Sequence, residues 1–277
     1  MAVLAVFACS GAPHQTIEAR PPPPRADPPI DAPVAPVAPV AAVAPDAPPA
    51  IAVAAKPATP VAMAEVPAAR LRMGSLTGHP DERPVHAVDV AAFSIDLTEV
   101  TVGAYAECVA ARRCATPTIE VAACDWNRTD LANYPINCVS WTEAAAYCAF
   151  AGKRLPTEEE WELAARGTDG RIYPWGNGAF GGEECELTSI DPPLCRVASA
   201  PKGKSAYGVF DMTGNADEWT ASAYCPYARP GCTATQRTTR GGSSDFIGGT
   251  ATSRNGHEPN TLGEALGFRC ASSEPHM

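Results

Sequence analysis

The chain has 277 residues, a formal net charge of −10 and 29 prolines. Its acidity and the lack of any lysine or arginine cluster argue against nucleic acid or an anionic membrane surface as partner. No apolar stretch approaches the ~20 residues that a membrane-spanning helix needs.

Residues 1–8 carry the apolar run AVLAVFA, and Cys9 follows with Ser10 and Gly11 behind it. This is similar to the end of a bacterial lipoprotein signal, truncated, with Cys9 as the lipid-bearing first residue of the mature chain. Phe7 is unusual at its place and the run has no positive start. A start codon placed downstream of the true one accounts for both, and the competing reading is a chance apolar beginning. On the first reading the protein is held in the bacterial envelope, outside the inner membrane, by its lipid alone.

Residues 9–67 are almost entirely Pro, Ala and Val and hold more than half of the prolines. Proline removes backbone donors and alanine buries little surface, so the stretch reads as a disordered, polyproline-like tether. From Pro13 to Pro67 it reaches at most ~170 Å at ~3.1 Å per residue. Residues 68–277 are then one domain of ordinary size.

Within that domain HAVDVAAFSID alternates in the manner of short strands. Two helices declare their own starts. Ser140 with Glu143, and Thr157 with Glu160, are capping boxes in which a hydroxyl and a carboxylate satisfy orphan N–H groups. The first helix is predicted over TEAAAYCAFA, stopping at Gly152, and the second over EEEWELAAR, stopping at Gly167. The short connector GKRLPT predicts that the two helices pack close together. Long Gly, Pro and Asn-rich connections complete an α+β pattern.

Eleven cysteines are present, and with Cys9 set aside the other ten all lie in the domain. An even, dense set implies disulfides and an oxidising compartment. Spacing alone leaves the pairing open, but neighbours suggest Cys108 with Cys114, Cys124 with Cys138, Cys185 with Cys195 and Cys225 with Cys232. The alternative, a zinc site, lacks any CxxC pair.

Four ordered blocks carry a family resemblance: MGS at Met73 with ERPVHAVDVAAFSIDLTEVTVGAY, VSWTEAAAYCAFAGKRLPTEEEWELAARG with YPWGN, YGVFDMTGNADEW, and RGGS with LGFRCAS. Together, over roughly Arg70 to Ser273, they resemble the formylglycine-generating enzyme or sulfatase-modifying factor family. The resemblance implies a loop-rich, disulfide-bonded α+β fold of the C-type-lectin-like kind, and a family disulfide joining Cys148 to Cys270.

It also implies a chemistry: oxidation of a substrate cysteine by O₂ at a copper(I) ion held by two thiolates, the soft donors a cuprous ion prefers. In the family these follow the GGS motif by three and eight residues. Counted from Ser243, the positions are Phe246 and Ala251, and no cysteine lies between Cys232 and Cys270. Copper is therefore not expected, and no catalytic residue is named.

The block GNADEW resembles a structural calcium turn, with the Asn215 and Glu218 side chains and the Ala216 and Thr220 carbonyls as ligands. The competing reading is a plain turn with Glu218 bonded to backbone. Trp141, Trp161, Trp175 and Trp219 read as core anchors, each burying ~200 Å², while Trp126 lies outside the blocks and is open for recognition. His257 reads as a solvated loop residue and His86 as a satisfied strand residue. Arg154, Glu158 and Glu160 read as structural hydrogen-bonders. The leading expectation is a lipid-anchored, non-catalytic family member that binds a protein, peptide or glycan in the old groove. The alternative is an oxidase acting on an exported protein such as a sulfatase, and a third is a purely structural envelope lipoprotein.

Overall fold

The computed structural model describes residues 61–118, 124–126, 128–178, 194–229, 231–242 and 249–274. In chain order these form β1 (Met63–Val66), β2 (Ala69–Met73), β3 (His86–Val90), β4 (Phe93–Asp96), α1 (Val102–Ala110), α2 (Trp141–Phe150), α3 (Glu158–Arg166), β5 (Asp217–Ala223), β6 (Arg237–Arg240), β7 (Arg254–His257), β8 (Leu266–Gly267) and β9 (Ala271–Ser272). One sheet runs β1-β4-β9, a second is the β2-β3 hairpin, and a third runs β7-β6-β5-β8 with β5 and β8 parallel. Strand β1 lies inside the stretch that composition placed in the tether. There MAEV alternates, burying Ala64 and Val66 against β4, so the folded domain begins before residue 68. Cys9 lies outside the described residues.

Both capping boxes form. Ser140 accepts from the Glu143 N–H while Glu143 accepts from the Ser140 N–H, and Thr157 and Glu160 do the same for α3. Gly167 ends α3 at φ 64°, a conformation that suits glycine.

The helices do not pack on each other as the short connector suggested. The Ala-rich α2 lies with α1 in a core of Tyr105, Tyr147, Trp219 and Phe268. In contrast, α3 lies in a second core with Leu71, Met73, Ile95 and Met212. The connector is occupied by β9: Arg154 and Ala271 exchange backbone hydrogen bonds of 2.9 and 2.7 Å, which separates the helices into different layers.

Disulfides join Cys108 to Cys114, Cys124 to Cys138, Cys148 to Cys270 and Cys225 to Cys232. Cys195 is also disulfide-bonded; the suggested Cys185–Cys195 pairing involves Cys185, which lies outside the described residues. Trp126 is not a free recognition residue, because its ring meets Tyr105 edge-on at 5.8 Å and packs against the α1–α2 core.

Candidate functional site

A tight glycine turn is built where β6 ends. Gly241 adopts φ 117° and Gly242 φ 64°, and both carbonyls accept the Gly214 N–H, at 3.1 and 3.2 Å. A methyl on Gly241 would come 3.0 Å from the Ala216 carbonyl, so the close approach of these turns requires glycine there. The chain is next described at Gly249. Ala251 is fully buried and its N–H donates to the Ile172 carbonyl at 2.9 Å. Of the two positions at which the resemblance places thiolates, Ala251 thus offers a buried methyl group, and Phe246 lies outside the described residues.

On the side of β6 that meets α3, the helix presents Glu158, Glu162 and Arg166, four residues apart and therefore on one helix face. Strands β6 and β7 face them with Arg240 and Arg254, which are Cα partners. Arg254 grips Glu158 with both ends of its guanidinium, at 2.6 and 2.8 Å. Arg240 donates to Glu162 and to the Thr252 carbonyl. Arg166 bonds Glu162 at 3.0 Å and also the carbonyls of Gly74 and Gly170. The Tyr227 hydroxyl closes on Glu158 at 3.0 Å, and burial pushes that phenol well above its ordinary pKa. Buried charges persist only when paired and hydrogen-bonded, and here each carboxylate meets at least one guanidinium. Glu158 and Glu160 are structural hydrogen-bonders, Glu160 being held in a two-pronged pair by Arg154 at 2.6 and 2.7 Å.

A second network starts on the other side of Trp161, whose indole N–H donates to Glu218 at 2.8 Å. Arg269 holds both oxygens of Glu218 at 2.7 Å. The Asn215 amide donates to Glu99 at 2.8 Å, and its oxygen accepts the Cys195 N–H. The Thr220 carbonyl accepts the Trp141 indole N–H at 2.8 Å.

This geometry bears on the calcium expectation. The two oxygens of Glu218 take three N–H bonds, and Asn215 and the Thr220 carbonyl are likewise engaged. The Ala216 carbonyl lies under Gly241. A calcium ion held by Asn215, Ala216, Glu218 and Thr220 would have to share the Glu218, Asn215 and Thr220 oxygens with these N–H donors, and Glu218 with the Arg269 guanidinium. The plain-turn alternative is also incomplete, since Glu218 bonds side chains and not backbone. Among the described residues, no group of three or more His, Cys, Asp or Glu is arranged to hold a metal.

Glu99 and Asp211 form a buried acidic pair beside this network, Asp211 accepting the Ala198 N–H at 2.6 Å. Burial, the neighbouring Asp211 and then Glu218 hold the Glu99 carboxyl well above the ordinary range, with Arg269 opposing. Asp211 is raised by burial. Glu99 Oε2 has no hydrogen-bond partner within 3.5 Å and sits 4.0 Å from Arg269.

Histidines do not replace the missing sulfur donors. His86 is satisfied on β3, its Nδ1 lying 3.0 Å from the Pro84 carbonyl. His257 is not a solvated loop residue but stands in β7, half-buried and edge-on to Trp219 at 6.0 Å; burial lowers its pKa. All the described cysteines are disulfide-bonded. Trp161 and Trp219 are fully buried anchors, and Trp141 and Trp175 are half-buried. The arginine partners and Glu99 were missed in the sequence. The four-residue spacing of Glu158, Glu162 and Arg166 was the signal that could have disclosed a buried charged face.

Comparison with known proteins agrees with the geometry. The model of the sulfatase-modifying factor enzyme 1-like domain matches residues 51–274. Inactive C-alpha-formylglycine-generating enzyme 2 of Bos taurus is 32% identical over 275 residues, covering 76% of this chain and 88% of the relative. The Mus musculus protein of the same name is 42% identical over 158 residues, a match that spans 50% of this chain and only 49% of that relative. The formylglycine-generating enzyme of Streptomyces coelicolor is 30% identical over 288 residues, covering 79% and 91%. Among solved structures, PvdO from Pseudomonas aeruginosa superposes with TM-score 0.61 at 24% identity, covering 76% of this chain and 93% of PvdO. CarF gives 0.58 at 24% identity, covering 77% and 98%. At such identities these two likenesses speak for the fold alone.

Proposed function

This chain belongs to the sulfatase-modifying factor family, and on that premise we propose that it is a non-catalytic member which uses the family groove to bind a protein, peptide or glycan. The observation that carries the reading is the missing sulfur. Ala251 occupies one expected thiolate position as a buried methyl, no cysteine lies between Cys232 and Cys270, and the described cysteines are spent in disulfides. A cuprous ion needs soft donors, and the described residues around Ala251 supply carbonyls, hydroxyls and paired carboxylates. The resemblance to proteins named inactive points the same way. With Cys9 as a lipid-bearing residue, the domain works in the bacterial envelope, attached to a membrane only by its anchor.

The test combines copper(I) titration with incubation of the full chain and a Cys-x-Pro-x-Arg peptide. The expected result is no stoichiometric copper uptake and no mass loss from thiol-to-aldehyde conversion. A second reading, an oxidase acting on an exported protein, draws on the likeness to relatives named formylglycine-generating enzyme. Aldehyde formation in this assay would establish it and end the first.

A further inference from the structure

Two Asn-Gly pairs lie among the described residues, and folding treats them in opposite ways. An asparagine followed by glycine can modify itself, because the glycine nitrogen has no Cβ beside it to hinder attack on the asparagine side chain. Asn133, Asn137, Asn215 and Asn260 are each followed by a residue that carries a Cβ. Asn255 and Gly256 sit within β7, where Thr239 and Thr238 of β6 are their Cα partners. The Tyr224 ring covers Gly256 so closely that a Cβ there would lie 2.3 Å from a ring carbon. Closing a ring between the Gly256 nitrogen and the Asn255 side chain would turn the asparagine away from the extended ψ of about +135° and disrupt the strand pairing.

Asn177 and Gly178 are both exposed and follow the turn in which Tyr173 and Gly176 exchange backbone hydrogen bonds of 2.9 and 3.0 Å. Nothing lies within 4 Å of the Cβ position of Gly178, and no backbone carbonyl among the described residues takes its N–H. The backbone here is free to turn, but the asparagine side chain is held. Its Oδ1 accepts the Ile172 N–H at 2.8 Å. That oxygen gains negative charge when the side-chain carbon is attacked, so the fold aims a donor at the nascent oxyanion.

We propose that Asn177 is a spontaneous modification site whose conversion alters the turn at Ala251. The deprotonated Gly178 nitrogen attacks Asn177 Cγ, the new C–N bond closes a five-membered imide, and the Cγ–Nδ2 bond breaks with release of ammonia. Water then opens the imide at either carbonyl, giving aspartate or isoaspartate. The net change is water taken up and ammonia lost, with nothing oxidised or reduced. Either product adds a negative charge to a chain that already carries −10. In the isoaspartate form the backbone runs through the former side chain, so Oδ1 becomes a main-chain carbonyl and its bond to Ile172 must be remade. Ile172 links this event to the site, because its own carbonyl accepts the N–H of buried Ala251 at 2.9 Å. The inference does not depend on what the domain binds.

The test is ageing of the full chain in warm, mildly alkaline buffer, both folded and unfolded in guanidinium chloride, followed by peptide mapping with mass spectrometry. Conversion adds about 1 Da to the peptide, and an isoaspartate-specific methyltransferase distinguishes the two products. In the folded chain Asn177 should convert at least about tenfold faster than Asn255, whereas in denaturant the two pairs should react alike. Folded Asn177 should also convert no more slowly than unfolded Asn177, since the Ile172 donor is present only in the fold. Gly178→Ala, which meets open space, should slow the reaction by at least about tenfold. NMR of the aged protein should show the Ile172 and Ala251 amide resonances displaced. A smaller ratio between the two sites in the folded chain, a folded rate at Asn177 below the unfolded one, an undiminished rate in folded Gly178→Ala, or an unmoved Ala251 resonance in converted protein would overturn the proposal.

Discussion

The bond between Cys148 and Cys270 provides a quantitative test of what holds this loop-rich domain together. It closes a loop of 122 residues between α2 and the strand end that leads into β9, and both sulfurs are fully buried. In the chain-entropy account, a closure of that length removes about 16 cal/mol/K from the unfolded ensemble, or about 5 kcal/mol at 25 °C. The smaller Cys225–Cys232 loop lies inside it and shortens the effective closure only slightly. A folded region of about 210 residues has an unfolding entropy near 440 cal/mol/K, so the loss corresponds to about 11 °C in melting temperature. The double variant Cys148→Ala, Cys270→Ala removes the bond without leaving a thiol or burying a hydroxyl. Urea unfolding under non-reducing conditions, followed by tryptophan fluorescence, should show a midpoint shift with a nearly unchanged slope. A loss below about 1.5 kcal/mol would refute the reasoning, because it would mean that the α2–β9 junction is held by packing and not by the covalent closure.

Other expectations follow from the buried charges and the turns. Arg269→Met leaves Glu218 and Glu99 buried opposite no guanidinium and should cost about 3 to 5 kcal/mol, whereas Arg70→Met, which removes an exposed pair with Asp89, should cost less than about 0.5 kcal/mol; chemical denaturation of the two variants checks the contrast. Glu99 and Asp211 are held above the ordinary carboxylate range, so the native state keeps their protons more tightly than the unfolded chain does. Their stabilising contribution is complete below the unfolded values near about 4 and is lost as pH rises through the raised values. Melting temperatures measured in EDTA from pH 4 to pH 8 should therefore show a fall from this pair that Glu99→Gln flattens, and an unflattened curve would remove the pair as its source. Gly241→Ala forces a side chain at φ 117° against the Ala216 carbonyl and should cost about 1 to 3 kcal/mol. Gly178→Ala meets open space and should stay within about 0.5 kcal/mol of the parent.

Local chemistry was legible in the amino-acid order. Ser140 with Glu143 and Thr157 with Glu160 needed only each other to start their helices, and Gly167 only its own freedom to stop one. The short-range disulfides closed between near neighbours for the same reason. The lack of any thiol between Cys232 and Cys270 is likewise a property of the sequence alone. Contacts between distant segments were decided by tertiary structure. The connector of α2 and α3 looked like a helix hairpin until β9 paired with Arg154 and sent the helices into separate cores. Glu218 read as a calcium ligand or a turn residue, and only the fold brought Arg269 against it from the chain end. A carboxylate's chemistry depends on which charge folding places within about 3 Å of it, and strand register, not neighbouring residues, determines that choice.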